Sequence, residues 1–476
     1  MNEASFRCVT VTFDPILAEK RFGYGLSPLI APPQSVPEML GRLQAPDAIA
    51  EQFPIEPFAQ FRNRMIASQN IWKEWRKNRG SPRAQDLRKE LNLLKKEARE
   101  QHRRWVSLTM LRRTWTADAF RDRLAAFWAD HFFAQGKAGI LKRGTSPYIE
   151  EAIRPHLNGD FATLLTAAIT SPLMVHYLDQ ENSMGPDSPK SIKRGSKGGL
   201  NENLARELLE LHTLGVGAPY TQTDVRELAN LLAGLTQTAN QGGVFRKDFA
   251  QPGAETVLGR DYGGDKPHIR DIHAVLNDLA QHPATAQHLA QKLAVHFVSD
   301  TPPAELVEAL AAAYRDSGGD LAVVNQTLLA HPAAWQPKLE NLKLPDEYVA
   351  SAMRALAVAP EVFTGIQSGR THEKLAERLF LRPLARMGQP WQAPLGPDGW
   401  PEQDDNWLTP QGLSARMEWA LLAPAALRDP LPDPRVFVHE ALGSEVPEPI
   451  LFAAKGAASR PEAIALILSS PAFQRK

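Results

Sequence analysis

The chain has 476 residues, roughly three domain-lengths at about 150 residues per domain, and 43% of them are hydrophobic, enough to fill cores of that size. Lysine plus arginine and aspartate plus glutamate both number 54, so the net charge is zero and no whole-molecule field recruits nucleic acid or an anionic membrane. The one cysteine, Cys8, excludes an intramolecular disulfide framework, a Cys-ligated zinc site and a CxxC redox centre.

No run of about 18 apolar residues occurs, so no membrane span is expected. Residues 1–15 carry Asn2, Glu3, Arg7 and Asp14 without a basic-then-apolar pattern, so no secretory signal is visible and a cytoplasmic location is expected. After the short Val9-Thr10-Val11-Thr12 stretch, alternating β-branched runs are nearly absent and helical periodicity dominates. The expectation is an all-α protein, a multi-helix globular bundle with long Gly/Pro-rich loops. It divides into an N-terminal helical region (1–183), a flexible loop (184–199), a central helical region (200–336) and a C-terminal helical region (337–476), read as one interdependent unit.

Along the chain, residues 73–113 are rich in Lys and Arg, with Leu87, Leu91 and Leu94 marking a narrow apolar stripe in a long helix or hairpin. RNA binding is one reading. The other is a solvated helix whose cations sit beside Asp86, Glu90, Glu97 and Glu100 at helix spacing, and with a neutral whole no nucleic acid is expected as partner. Thr116 reads as the N-cap of a helix whose Phe120, Leu124, Phe127, Trp128, His131 and Phe132 share one face. The Gly/Ser/Pro/Lys-rich 184–199 stretch reads as a mobile loop, and without the GxxxxGK[ST] spacing it is no phosphate cradle. From 200 to 236 the punctuation is of a helical hairpin. Asn201 caps its first helix, Gly215 ends it, and Thr221 with Asp224 starts the second. A Gly/Gln-rich loop is expected from 234 to 266. Helices then resume near His268, with further ones at 348–356 and 372–384, a Pro/Gly/Trp-rich segment at 387–410, and terminal helices.

The 201–215 helix carries the first candidate chemistry. At about 100° per residue, Leu204, Leu208, Leu211 and Leu214 form one arc and Glu207 falls inside it, with Asn203 and Glu210 on its edge and Arg206 beyond. A carboxylate aimed into an apolar interface must be paired, hydrogen-bonded or protonated. Glu207 is thus a candidate acid/base or metal-binding group, with Asn203, Arg206 and Glu210 to orient it and the 184–199 loop as a lid. The alternative is a structural carboxylate held by a neighbouring arginine. Glu207 and Glu210 at i, i+3 could share an ion, whereas Glu207 and His212 lie about 140° apart and cannot easily do so. The histidines from 268 to 331 show no zinc spacing, and His282 and His331 precede prolines at helix starts. His131, on the aromatic face, is either a core histidine or a catalytic one. The sequence names no cofactor.

The segments Arg21-Phe-Gly-Tyr-Gly25, Phe127-Trp-Ala-Asp-His-Phe132, Tyr220-Thr-Gln-Thr-Asp-Val225, His282-Pro-Ala-Thr-Ala286 and His296-Phe-Val-Ser-Asp300 accompany the longer Asn201-Glu-Asn-Leu-Ala-Arg-Glu-Leu-Leu-Glu-Leu-His-Thr-Leu-Gly-Val216. Together with the Gly399-Trp400 and Trp407-Leu408 pairs, they resemble the large bacterial family catalogued as domain of unknown function 1800. The resemblance implies no reaction. It implies a possible partner, a sulfatase-like family catalogued as domain of unknown function 1501, whose genes often lie alongside. The family's usual His-Asp-x-Gly-x-Lys stretch is replaced here by Ala250-Gln-Pro-Gly-Ala-Glu255, so any chemistry of that His-Asp pair would be lost. A non-catalytic partner or assembly protein is therefore the second reading. It calls for an exposed apolar patch around Trp391, Trp400 and Trp407.

Overall fold

The computed structural model describes residues 13–195, 199–364 and 374–476. Cys8 and the Val9 to Thr12 stretch lie outside the described residues, as do 196–198 of the expected loop and the start at His372 of the expected 372–384 helix. Among the described residues the chain is 62% helical, with two small two-stranded sheets. Among the described residues no helix is long and apolar enough to cross a membrane.

The basic segment is a helical hairpin, Phe58–Lys77 followed by Pro82–Trp115. Leu87 and Leu91 bury along its seam, while Arg83 pairs with Glu74 and Glu90, Lys89 with Asp86, and Lys96 with Glu100. The last turns of Pro82–Trp115 enter the core through Trp105, Val106, Met110 and Leu111 and pack on helix Pro345–Ala355. One continuous apolar cluster contains residues from Leu17 to Phe473.

Helix Ala119–His131 is capped by Asp118, whose side chain accepts the Arg121 N–H at 3.2 Å, rather than by Thr116. Thr116 closes the preceding helix and accepts the Asp118 N–H at 3.0 Å, so two capping residues two positions apart divide one sharp corner. The 184–199 stretch contains a short helix, Pro189–Lys193, and is tied to the 246–251 segment by Gly185 N–H to Phe249 O and Lys190 N–H to Asp248 O.

The expected loop from 234 to 266 instead forms two antiparallel hairpins. Strand β1 (Leu235–Thr238) pairs with β2 (Gly242–Phe245), and β3 (Gly253–Val257) pairs with β4 (Arg260–Gly264). The second hairpin closes on two residues, Leu258 and Gly259, both at positive φ. A leucine resists that backbone, and no sequence pattern announces a turn there. It is held because Asp224 accepts the Leu258 N–H at 2.7 Å while also closing the capping box with Thr221 at the start of helix Gln222–Leu232. Asp224→Ala therefore removes a cap and the clamp on a strained turn together, and should cost about 1–2 kcal/mol in chemical denaturation.

The remainder is helical. Pro283–Phe297, Ala304–Asp316 and Leu321–Ala330 pack in succession, and Pro410–Leu422, Pro434–Leu442, Glu448–Gly456 and Arg460–Ser469 form a C-terminal group. His268, His282 and His331 each cap the helix they precede, accepting a backbone N–H at 3.1, 3.1 and 3.2 Å.

Candidate functional site

In the 201–215 segment the helix Asn203–Glu207 runs directly into a π-helical turn, Leu208–His212. The wider turn rotates every later side chain backwards relative to a regular helix. The buried face is consequently Leu204, Ala205, Leu208, Leu209 and His212, and Leu211 is pushed to half-burial. Glu207 lies at the edge of that face, half-buried, without an ion pair among the described residues. Burial, with Glu210 and Asp398 nearby, raises its carboxyl above the usual range, and Arg206 only partly offsets them.

The expected orienting groups point elsewhere. Arg206 bridges Glu210 at 3.3 Å and Glu202 at 3.4 Å on the solvent side, and Asn203 is exposed with its N–H held by Asn201 at 2.9 Å. No group of three or more His, Cys, Asp or Glu side chains among the described residues is arranged to hold a metal ion, so nothing completes the Glu207–Glu210 pair. Since Glu207 sits beside carboxylates and lacks an arginine clamp, Glu207→Gln should leave the melting temperature unchanged or raise it slightly; a fall of several degrees would refute this placement.

His131 is a core residue. Its Nε2 lies 3.3 Å from His212 O, the His212 Nδ1 lies 3.0 Å from His131 O, the His131 ring packs on Phe127, Trp128 and Phe132, and the His212 ring packs on Phe132. Burial, aided by Lys292, holds His131 well below its ordinary pKa and His212 down at about 3, so both are neutral.

The neighbour of His131 in the same motif, Asp130, faces a cavity of about 130 Å³. Helix Ala119–His131 supplies one wall through Asp122, Ala126, Phe127 and Asp130; His296, Asp346, Glu347 and the 389–402 segment supply others. The Trp400 N–H reaches both Asp130 oxygens, at 3.0 and 3.1 Å. That approach requires Gly399: it adopts φ +78°, and a Cβ there would overlap the Asp130 carboxylate. Burial, with Glu402 adding to it and Lys292 opposing, pushes the Asp130 carboxyl up to about 8. Lys292, half-buried, forms no hydrogen bond or ion pair among the described residues and is drawn electrostatically to Asp130, Glu402 and Asp398.

Glu402 lies in the same cavity in the opposite environment. Burial would raise it, but His296, 2.7 Å away through Nδ1, outweighs that and keeps its carboxyl below the usual range. The His296 tautomer follows from its other contact: Nε2 stands 2.9 Å from the Arg123 guanidinium, which can only donate, so the proton is on Nδ1 and is donated to Glu402. Behind them Glu347 is the hub of a buried charge network, bonded to Arg123, to Lys476 Nζ at 2.7 and 2.8 Å, and to the Leu344 N–H at 2.9 Å.

No spacing or periodicity in the sequence marks Asp130, His296, Glu347, Lys292 or Glu402. The one local signal is that Asp130 and His296 stand in the 127–132 and 296–300 segments that carry the family resemblance, with Glu402 two residues beyond Trp400. Of the expected tryptophan patch, Trp407 is 4% exposed with its Nε1–H donated to Pro401 O, while Trp391 and Trp400 are half-buried and line the cavity. The family model described as "Protein of unknown function (DUF1800)" matches residues 18–475. No match is found among curated proteins or among solved structures.

Proposed function

Because this chain belongs to the DUF1800 family over nearly its whole length, and that family carries no assigned reaction, we propose a function from the cavity itself: an acid/base enzyme acting on a small molecule held between Asp130 and Glu402. The observation that supports it is that two carboxyl groups line one cavity in environments that drive their proton affinities apart. Such a pair divides the roles: Asp130 keeps a proton to donate near neutral pH, and Glu402 stays ionised to accept one. His296 holds Glu402 ionised and oriented, Arg123 fixes the His296 tautomer, and Lys292 offers a charge to the Asp130 carboxylate once its proton has left. Glu207, the acid/base candidate of the sequence, keeps a place in this reading as an outer acidic residue near Asp398, in the loop that brings Gly399 and Trp400 to Asp130.

Infrared or carbon NMR titration of labelled aspartate tests the assignment. One carboxyl titrating near pH 8 and missing from Asp130→Asn is expected; an Asp130 that titrates in the ordinary range of about 4 overturns the reading. The second reading, a partner of a sulfatase-like protein, is favoured by one observation: Met417, Leu421, Leu422 and Phe452 are exposed apolar residues of helices Pro410–Leu422 and Glu448–Gly456. Such a partner would protect these four side chains from oxidation or labelling.

A further inference from the structure

Independently of the cavity, we infer that the hairpin of helices Phe58–Lys77 and Pro82–Trp115 carries, along one flank of its outer part, a binding face for single-stranded nucleic acid. Residues 72–104 hold twelve Lys and Arg against five Asp and Glu, an excess of seven in a chain that is neutral as a whole. The outer part stands off the core: Ala84, Leu87 and Leu91 are buried in the seam between the two helices and not in the continuous apolar cluster.

The arm is electrically two-sided. At about 100° per residue, Arg88, Lys95, Arg99 and Arg103 fall within about 80° of one another on helix Pro82–Trp115, while Asp86, Glu90, Glu97 and Glu100 occupy the opposite flank. Lys89 and Lys96 lie between the two sets and pair with Asp86 and Glu100. Among the described residues Arg88, Lys95 and Arg99 form no ion pair, and Arg103 meets Glu377 at 3.5 Å. On the other helix Glu74 bonds Arg83 on the acidic side. Trp72 and Arg76, each about 160° from Glu74 around that helix, therefore share the basic side. The Arg76 guanidinium lies 5.7 Å from the Trp72 ring centre, and Trp72 is 42% exposed. At the base, half-buried Arg143 of the turn Leu141–Arg143 continues the row, also without an ion pair among the described residues. Burial, with Arg103 and Arg99 as like charges, holds Arg143 below its ordinary value. Cations left facing one another repel, and an anion laid along them removes that cost.

The row runs about 22 Å from Arg88 to Arg103 and is one side chain wide, which suits a single phosphate backbone. The exposed Trp72 ring offers a stacking surface that only an unpaired base can take. A bilayer would need an apolar face to insert, and Leu87 and Leu91 are enclosed in the seam.

The test is fluorescence anisotropy of the full chain with labelled oligo-dT and oligo-U of about 20 nucleotides at about 50 and 200 mM salt, beside a duplex of equal length and co-sedimentation with phosphatidylserine vesicles. Saturable binding of at least one strand at the lower salt, falling steeply at the higher, is expected. The double variant Arg88→Gln/Arg99→Gln should weaken it tenfold or more and flatten its logarithmic salt dependence by about 1 to 2. Arg83→Gln/Arg104→Gln removes the same charge from the acidic side and should change binding less than threefold. Both variants replace exposed side chains, so each should melt with the parent, and a loss of binding reads the face and not the fold. The proposal is overturned if neither strand binds at the lower salt, if the duplex or the vesicles bind more tightly than the strands, or if the two double variants weaken binding equally.

Discussion

Replacing Glu347 by glutamine is expected to destabilise the protein by about 3–5 kcal/mol, the cost of leaving buried charges without their partner. The substitution preserves shape and can still accept from the Leu344 N–H, so the loss isolates the charge. Arg123, with a side chain 1% exposed, and Lys476, 4% exposed, both depend on this one carboxylate. The pH dependence has a definite sign. Burial works to raise the Glu347 pKa, but Arg123 and Lys476 together hold it far below the usual value. A depressed carboxyl contributes stability that is complete above its unfolded pKa of about 4.3 and lost as pH falls toward the folded one. The difference between parent and variant should therefore be full at pH 7 and shrink below about pH 4. Denaturant midpoints at unchanged m-value measure it, and equal midpoints at pH 7 would refute the hub role.

Asp130→Asn should act in the opposite direction. With a folded pKa near 8 against an unfolded value of about 3.8, Asp130 is protonated in the native state where it would be ionised in the unfolded chain. Native stability then falls as pH rises from about 4 to about 8 and is unaffected outside that window. Four units at about 1.36 kcal/mol each set an upper bound of about 5 kcal/mol; because Asp130 is only half-buried, about 2–3 kcal/mol is the expected size. Asparagine can still accept the Trp400 N–H and has nothing to ionise. The variant should match the parent at about pH 4, exceed it in stability at pH 9, and lack the proton that the proposed acid role requires. A variant less stable than the parent at pH 9 would show that Asp130 is an ionised structural partner of Lys292.

Much of the helical architecture was legible because helices announce themselves locally. The Thr221–Asp224 box, the His282-Pro283 start and the Leu87/Leu91 seam depend on residues within a turn or two of one another, and the structure carries each where the spacing puts it. Other features of the same segments were not legible. The Leu258–Gly259 hairpin depends on an aspartate 34 residues upstream. The π-helical turn at 208–212 has no compositional mark, and by shifting the rotation of one helix it moved Glu207 from the centre of a buried arc to its edge.

The sequence by itself determined the helical class, the family and the Thr221–Asp224 capping box, while the caps expected at Thr116 and Asn201 fall instead to Asp118 and Glu202. Of two adjacent residues on one helix it marked His131 and passed over Asp130. The surroundings that set Asp130 apart are tertiary: Trp400, 270 residues away, whose N–H meets it, and the network in which Glu347 neutralises Arg123 from 224 residues away. Periodicity and capping are set by backbone geometry over a few residues, so they can be read along the chain. A pKa is set by the dielectric and by charges within several ångströms in space, and only the folded chain brings those together.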